Sequence, residues 1–241
     1  WYDLKEELVM KQEYGGEKEW REHFEYLLKF FNDPRYIKIS NKPVLQIYRT
    51  MDIECLPQMK ALFNKMAMAA GFDGIYIVSG NTAGEKETRD GAADAYYDFE
   101  PGYTLKHDMS SADTFAYDVS TAWRHILNRI FRKEKLERMI PVDNIYRPIV
   151  RRDYRENEFP GLIARWDNTP RRSYKGLVYT GTAPAKFGAV LKELKKKTEG
   201  READFVYVNA WNEWGEGAML EPEKEEGFGY LEEIRKVRDG Q

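Results

Sequence analysis

The chain has 241 residues, 42% hydrophobic and 33% charged. That is enough apolar material for a core, and it excludes a disordered chain while fitting one domain or at most two small ones. A formal net charge of −3, with Lys and Arg scattered among Asp and Glu, excludes a nucleic-acid surface and an anionic-membrane footprint.

The single cysteine, Cys55, excludes an internal disulfide framework and a Cys-based metal site, and it reads as a small semi-buried residue. The histidines His23, His107 and His125 lie far apart and form no His-x-x-x-His pair, so no metal site is expected. No apolar run approaches the ~20 residues that span a bilayer. No leader sequence stands at the start, so a cytoplasmic location is expected. The start at Trp1 rather than Met reads as a processed end or as part of something longer.

In chain order, Leu8 to Tyr14 reads as a strand or extended segment. Glu17 to Asn32 carries Trp20, Phe24, Leu27, Leu28 and Phe31 at spacings of three and four, the pattern of a core-facing helix. Pro43 to Arg49 is a strand, residues 55 to 70 an amphipathic helix closed by Gly71, Gly74 to Ser79 a strand, and Ala95 to Glu100 a shorter strand stopped by Pro101-Gly102. Residues 103 to 117 read as an irregular loop. Ser120 to about Leu136 is helical, with Trp123, Ile126, Leu127 and Ile130 as its apolar stripe. Ile145 to Val150 is a candidate strand; Leu162 to Asp167 and Leu177 to Thr180 look extended. Thr182-Ala183-Pro184 opens a helix to about Lys197, whose Lys195-Lys196-Lys197 run reads as a solvated face. Phe205 to Trp211 is the last strand and Gly229 to about Arg238 the last helix.

Strands alternating with helices indicate parallel α/β architecture. Neither Gly-x-Gly-x-x-Gly nor a P-loop occurs, which disfavours a dinucleotide fold and a P-loop fold and leaves a barrel or an open sheet. In a barrel the active site lies at the C-terminal strand ends. Here those ends repeatedly carry polar and aromatic residues: Glu13-Tyr14, Tyr48-Arg49, Ser79-Gly80-Asn81, Asp98-Phe99-Glu100, Trp166-Asp167-Asn168, and Trp211-Asn212-Glu213-Trp214. Such a lining suits sugars, whose C–H faces stack on rings and whose hydroxyls take carboxylates, amides and guanidinium groups. Any one of these rings is equally readable as packing.

The sharpest constellation is Asn212-Glu213-Trp214-Gly215-Glu216-Gly217, with Glu221-Pro222 beyond. Two carboxyl groups three residues apart would sit at about 5–6 Å in a helical turn. Glycosidic cleavage needs such a pair at roughly 5–10 Å. A neighbouring negative charge and burial would keep one of them protonated. Glu213 and Glu216 are also readable as capping the next segment, or as pairing with Arg171 or Arg172.

Gln12-Glu13-Tyr14-Gly15, Asp33-Pro34-Arg35-Tyr36-Ile37, Lys42 to Arg49, Trp166 to Arg172 and Asn209 to Gly217 together resemble the WbsX-like family of bacterial polysaccharide (O-antigen) clusters, related to glycoside hydrolase family 99. The resemblance runs in order along the whole chain. It implies a (β/α)8 TIM-type barrel in which 1–241 forms one catalytic domain, with about five of eight strands present and the N-terminal ones lacking. It implies that the chain alone leaves sheet edges open. It further implies Glu213 as the base that deprotonates the sugar's 2-hydroxyl, Glu216 as the acid and later base, an oligo- or polysaccharide substrate, and no metal or organic cofactor. Glu13, Tyr14, Tyr48, Arg49, Trp166, Asp167, Asn168, Trp211, Asn212, Trp214 and Glu221 are the expected substrate-binding residues. Two alternatives stay open: a glycosyltransferase, for which Asp98-Phe99-Glu100 is the nearest substitute for Asp-x-Asp and Arg49, Arg165, Arg171 and Arg172 are phosphate-binding candidates, and a non-catalytic glycan-binding barrel.

Overall fold

A computed structural model of the chain describes residues 10–84, 87, 89 and 91–240. It separates into two compact units, Trp1–Tyr97 and Asp98–Gln241, each with its own apolar core.

The first unit opens with helix α1 (Glu17–Phe31), where Glu19 accepts a hydrogen bond from the Gly16 N–H at 2.9 Å. This caps a donor that the helix itself leaves unpaired. Strand β1 (Lys38–Ile39) runs antiparallel to β2 (Lys42–Ile47), and β2 runs parallel to β3 (Tyr76–Asn81), with Val44 opposite Tyr76 and Ile47 opposite Ser79. Strand β4 (Ala95–Asp98) follows β3 in the sheet order. Helix α2 (Leu56–Ala69) connects β2 to β3 and packs on α1. Phe24, Phe31 and Phe63 are fully buried and meet at ring centroid distances of 5.4 to 5.9 Å. Burying each such ring contributes about 1.5–3 kcal/mol.

The second unit contains α3 (Gly102–His107), α4 (Ser111–Phe131), β5 (Arg138–Pro141), α5 (Asp143–Arg151), β6 (Glu158–Phe159), β7 (Gly161–Ile163), α6 (Thr169–Arg172), β8 (Leu177–Thr180), α7 (Pro184–Thr198), β9 (Tyr207–Asn209), β10 (Asn212–Glu213), β11 (Ala218–Met219) and α8 (Gly229–Arg238). Two parallel pairs organise it: β5 with β8, Arg138 opposite Leu177, and β7 with β9, Gly161 opposite Tyr207. Ile140, Ile145, Ile149, Leu162, Phe187 and Leu194 form the centre of its core. No helix among the described residues is long and apolar enough to cross a membrane.

Several elements depart from the sequence expectation. Residues 8 and 9 lie outside the described residues, and 10–14 form no strand. The Tyr14 carbonyl accepts from the Trp20 indole N–H instead of from a neighbouring strand. Residues 103 to 117 hold helix α3 and the start of α4 rather than a loop. The start signal of α4 is Ser110, whose hydroxyl accepts from the Asp113 N–H at 3.1 Å. Ile145 to Val150 is helical. Ile145, Tyr146 and Ile149 have the one-and-four spacing of a helix face, and Pro148 within the helix disguises it. The lysine run is not uniformly solvated: Lys195 Nζ donates to the Val237 carbonyl at 2.8 Å and Lys197 Nζ to that of Arg152 at 3.0 Å. Both carbonyls sit at helix C-termini, where a cation is favourable.

Candidate active site

Of the candidates in the first unit, Glu13 is exposed and lies 3.6 Å from Lys11, and Tyr14 packs against the core around Phe24. Tyr48 and Arg49 follow the C-terminal end of β2. Tyr48 is 53% exposed, and Arg49 Nη2 lies 3.2 Å from Asp52. A β-carbon on Gly80 would come within 2.6 Å of the Tyr48 carbonyl, so only glycine permits this approach of the two strand ends. Next to them is a polar cluster that the sequence does not announce. Thr50 Oγ1 is 2.7 Å from Ser79 Oγ and donates to Glu87 Oε2 at 2.7 Å, and Arg89 donates to Glu87 and to the Ile53 carbonyl. Hydrogen bonds from the Arg89 guanidinium hold the Glu87 carboxyl down at about 2.

In the second unit, β10 and β11 form a short antiparallel hairpin, Asn212 opposite Met219 and Glu213 opposite Ala218. Its connection is a 3-10 turn, Trp214–Glu216, closed by Gly217 at φ +59°. The turn forms because Gly215-Glu216-Gly217 supplies both backbone latitude and a left-handed residue where one is required. Glu213, at the end of β10, is exposed; Glu216, at the end of the turn, is half-buried. The expected enclosure therefore reaches Glu216 and not Glu213.

The hairpin is anchored to the loop after β7. The Asp167 N–H donates to the Glu216 carbonyl at 2.7 Å, and Arg171 Nη2 lies 2.9 Å from Glu216 Oε1. One of the two Arg partners read as possible from the sequence is thus realised. Asp167 Oδ1 accepts from the Thr169 N–H and hydroxyl at 2.9 and 2.6 Å and so starts α6. Asn168 is buried, and its Oδ1 accepts from the Leu177 N–H at 2.7 Å. It links α6 to β8 and positions its neighbours. Trp166 stacks at a tilt on Tyr179, centroids 6.3 Å apart. The Trp166 indole N–H and the Tyr179 hydroxyl are both buried without a hydrogen-bond partner among the described residues.

Trp211 and Trp214 are 52% and 48% exposed. Trp214 is held by its indole N–H donating to Glu221 Oε2 at 2.9 Å, and the Trp211 carbonyl accepts from the Leu220 and Glu221 N–H groups. The structure thus brings Asp167, Asn168, Trp211, Asn212, Glu213, Trp214, Glu216 and Glu221 to one hairpin and the loop beneath it, with Trp166 adjoining. Arg171 joins them through its ion pair. Arg165, read as a phosphate candidate, lies 3.3 Å from Glu223.

The strand-ending carboxylates Asp98 and Glu100 are buried around Arg152. Its Nη1 donates to Asp98 at 2.6 Å and to Glu100 at 3.1 Å, its Nε to Asp108 at 2.6 Å, and its Nη2 to Thr104 at 2.9 Å. One guanidinium faces three carboxyl groups, and burial pushes the innermost, Glu100, up to about 7. Asp98 and Glu100 are 5% and 1% exposed, so the substitute for Asp-x-Asp is consumed internally and is not presented to a nucleotide-bound metal.

The sequence profile of a family described as Glycosyltransferase WbsX matches residues 1–234. Two relatives from strains of Xanthomonas campestris pv. campestris, both called "Uncharacterized protein WxcX", are 28% identical over 219 residues. That alignment covers 88% of this chain and 29% of the relative, so the chain spans less than a third of their length. Among solved structures, a "Glycoside hydrolase-like protein" superposes with a TM-score of 0.56 at 14% identity, over 90% of this chain and 60% of that one. It shares the α/β fold. A GH99 endo-alpha-mannosidase from "Bacteriodes thetaiotaomicron" gives a TM-score of 0.47 at 15% identity, over 92% and 66%.

Proposed function

The chain belongs to the WbsX glycosyltransferase family, and on that premise we propose that it is part of a (β/α)8-barrel enzyme that cleaves or transfers glycosidic bonds through Glu213 and Glu216. The observation that carries this reading is the hairpin. It sets two carboxyl groups three residues apart, Glu213 at the end of β10 and Glu216 on a turn clamped to Asp167, beside two half-exposed tryptophans, one of them fixed by Glu221. Rings held with a face open to solvent stack on sugar; carboxylates beside them act on its hydroxyls and glycosidic oxygen.

In the proposed cycle Glu213 removes the proton of the sugar's 2-hydroxyl. That oxygen attacks the anomeric carbon as the bond to the leaving oxygen breaks, and Glu216 delivers a proton to the leaving group. Glu216 then takes a proton from water, or from an acceptor hydroxyl, as that oxygen attacks the anomeric carbon; the bond from the anomeric carbon to the 2-oxygen breaks, and Glu213 returns its proton to the 2-oxygen. Hydrolysis and transfer differ only in that last nucleophile. Glu216 must leave Arg171 to donate its proton, and the freed guanidinium is then available to the substrate. No nucleotide is needed, which agrees with the internal use of Asp98 and Glu100.

The test follows new reducing ends from α-linked mannan fragments and O-antigen polysaccharides without nucleotide sugar, with Glu213→Gln and Glu216→Gln in parallel. Release by the parent and loss in both variants supports the pair. Glycan extension only when nucleotide sugar is added moves the chain to nucleotide-dependent transfer. Turnover in the double variant removes the assignment.

A further inference from the structure

Helix α4 is amphipathic in the reverse sense. Its inner side is tied down by polar groups: the Tyr117 hydroxyl accepts from Arg138 Nε at 2.8 Å, Arg124 donates to the Glu137 carbonyl at 3.3 Å, and Asn128 Nδ2 donates to the Lys135 carbonyl and to Glu137 Oε1. Asn128 is its one buried residue. The apolar side faces outward, with Phe115 70% exposed, Val119 51%, Trp123 61%, Ile126 46% and Ile130 66%. Spacings of four, four, three and four place these five on one stripe. At a rise of 1.5 Å per residue the stripe is roughly 22 Å long. Large side chains in a contiguous row, exposed on a helix held by other means, mark an interface.

The charges flanking the stripe identify its partner. Asp118 and Arg129 lie eleven residues apart, close to three full turns, and so share one edge of the stripe. Among the described residues neither is ion-paired. Their midpoint falls beside Trp123. A two-fold axis through that midpoint, perpendicular to the helix and running across the stripe, keeps each edge on its own side while reversing the helix direction. It therefore sets Asp118 of one copy against Arg129 of the other, twice, and places the two Trp123 rings at the centre. A surface that complements itself under this operation is the property of an isologous contact. We propose that the α4 stripe is a homodimer interface formed by two antiparallel α4 helices, with reciprocal Asp118–Arg129 pairs.

Sedimentation velocity of the 241-residue chain, over a concentration series from submicromolar to about 100 µM, tests it. The expected result is a monomer–dimer equilibrium. Asp118→Arg alone and Arg129→Asp alone each weaken dimerisation by tenfold or more, and the double reversal restores it. These are exposed positions, so unchanged far-UV circular dichroism shows that the variants fold. Trp123→Ser abolishes the dimer. A chain that stays monomeric throughout the series overturns the proposal. So does a dimer indifferent to both charge reversals, and so does a monomer that instead binds phosphatidylcholine vesicles through α4. None of these readouts depends on enzymatic activity.

Discussion

The backbone of Gly217 lies against that of Asp167: a β-carbon on Gly217 would stand 2.8 Å from the Asp167 carbonyl oxygen and 2.9 Å from its nitrogen. The same Asp167 N–H donates to the Glu216 carbonyl. The turn that carries Glu216 is therefore seated on the loop after β7 through an approach that no larger residue permits, at a φ of +59° that disfavours side chains.

Gly217→Ala is predicted to destabilise the second unit by about 2–4 kcal/mol, combining the left-handed backbone penalty with the clash against Asp167. Urea unfolding measures this. Activity on glycans should fall by more than the folded fraction, because the displaced turn carries Glu216. A variant with parental stability and parental turnover would sink the seating of the turn as described.

Arg171→Ala removes the cation beside Glu216. With both side chains partly exposed, the ion pair itself is worth about 1 kcal/mol or less. Because the proposed cycle frees the guanidinium for the substrate, the variant should raise KM for a glycan several-fold, while urea unfolding stays within about 1 kcal/mol of the parent. An unchanged KM and kcat would place Arg171 outside the chemistry.

Trp214→Ala should raise KM for a glycan about tenfold, the equivalent of about 1.4 kcal/mol of lost stacking, with a smaller effect on kcat. Glu221→Leu, which removes the acceptor of the indole N–H, should move KM in the same direction by less, since the ring remains but is no longer held. Equal KM values in the parent and both variants would remove Trp214 from the binding surface.

Arg152 and its three carboxyl partners predict a pH dependence of stability. Glu100 titrates at about 7 in the folded chain against an ordinary value of 4.5. Between these values the folded chain holds a proton that the unfolded chain has released. Its contribution is fully present below pH 4.5 and is lost as pH rises through 7. Unfolding free energy should drop between pH 5 and 8, by up to a few kcal/mol, and Glu100→Gln should flatten that slope. A steeper slope in the variant would contradict the assignment. Arg152→Met leaves buried carboxyl groups without their cation and should cost about 3–5 kcal/mol.

The legible part of the fold is the part written in local periodicity. Phe24 and Phe31 on α1, the Val44–Ile47 run of β2 and the closing α8 announce themselves, because burial on one face repeats every 3.6 or 2 residues. Where the local signal is weak or misleading the sequence points elsewhere: Pro148 disguises a helix, and the Ser110 cap is too short a cue against a polar stretch.

The sequence by itself determined the residue chemistry of the hairpin. Two glutamates, two indoles and the glycines that let the chain turn are adjacent in the chain and need no partner to be recognised. Only the tertiary structure decided which charges neutralise each other and which faces stay open. Arg171 rather than Arg172 meets Glu216, Asp98 and Glu100 are consumed by Arg152 52 to 54 residues away, and the apolar side of α4 points outward. Each outcome depends on contacts between distant segments, where desolvation and geometry outweigh any preference that the local sequence expresses.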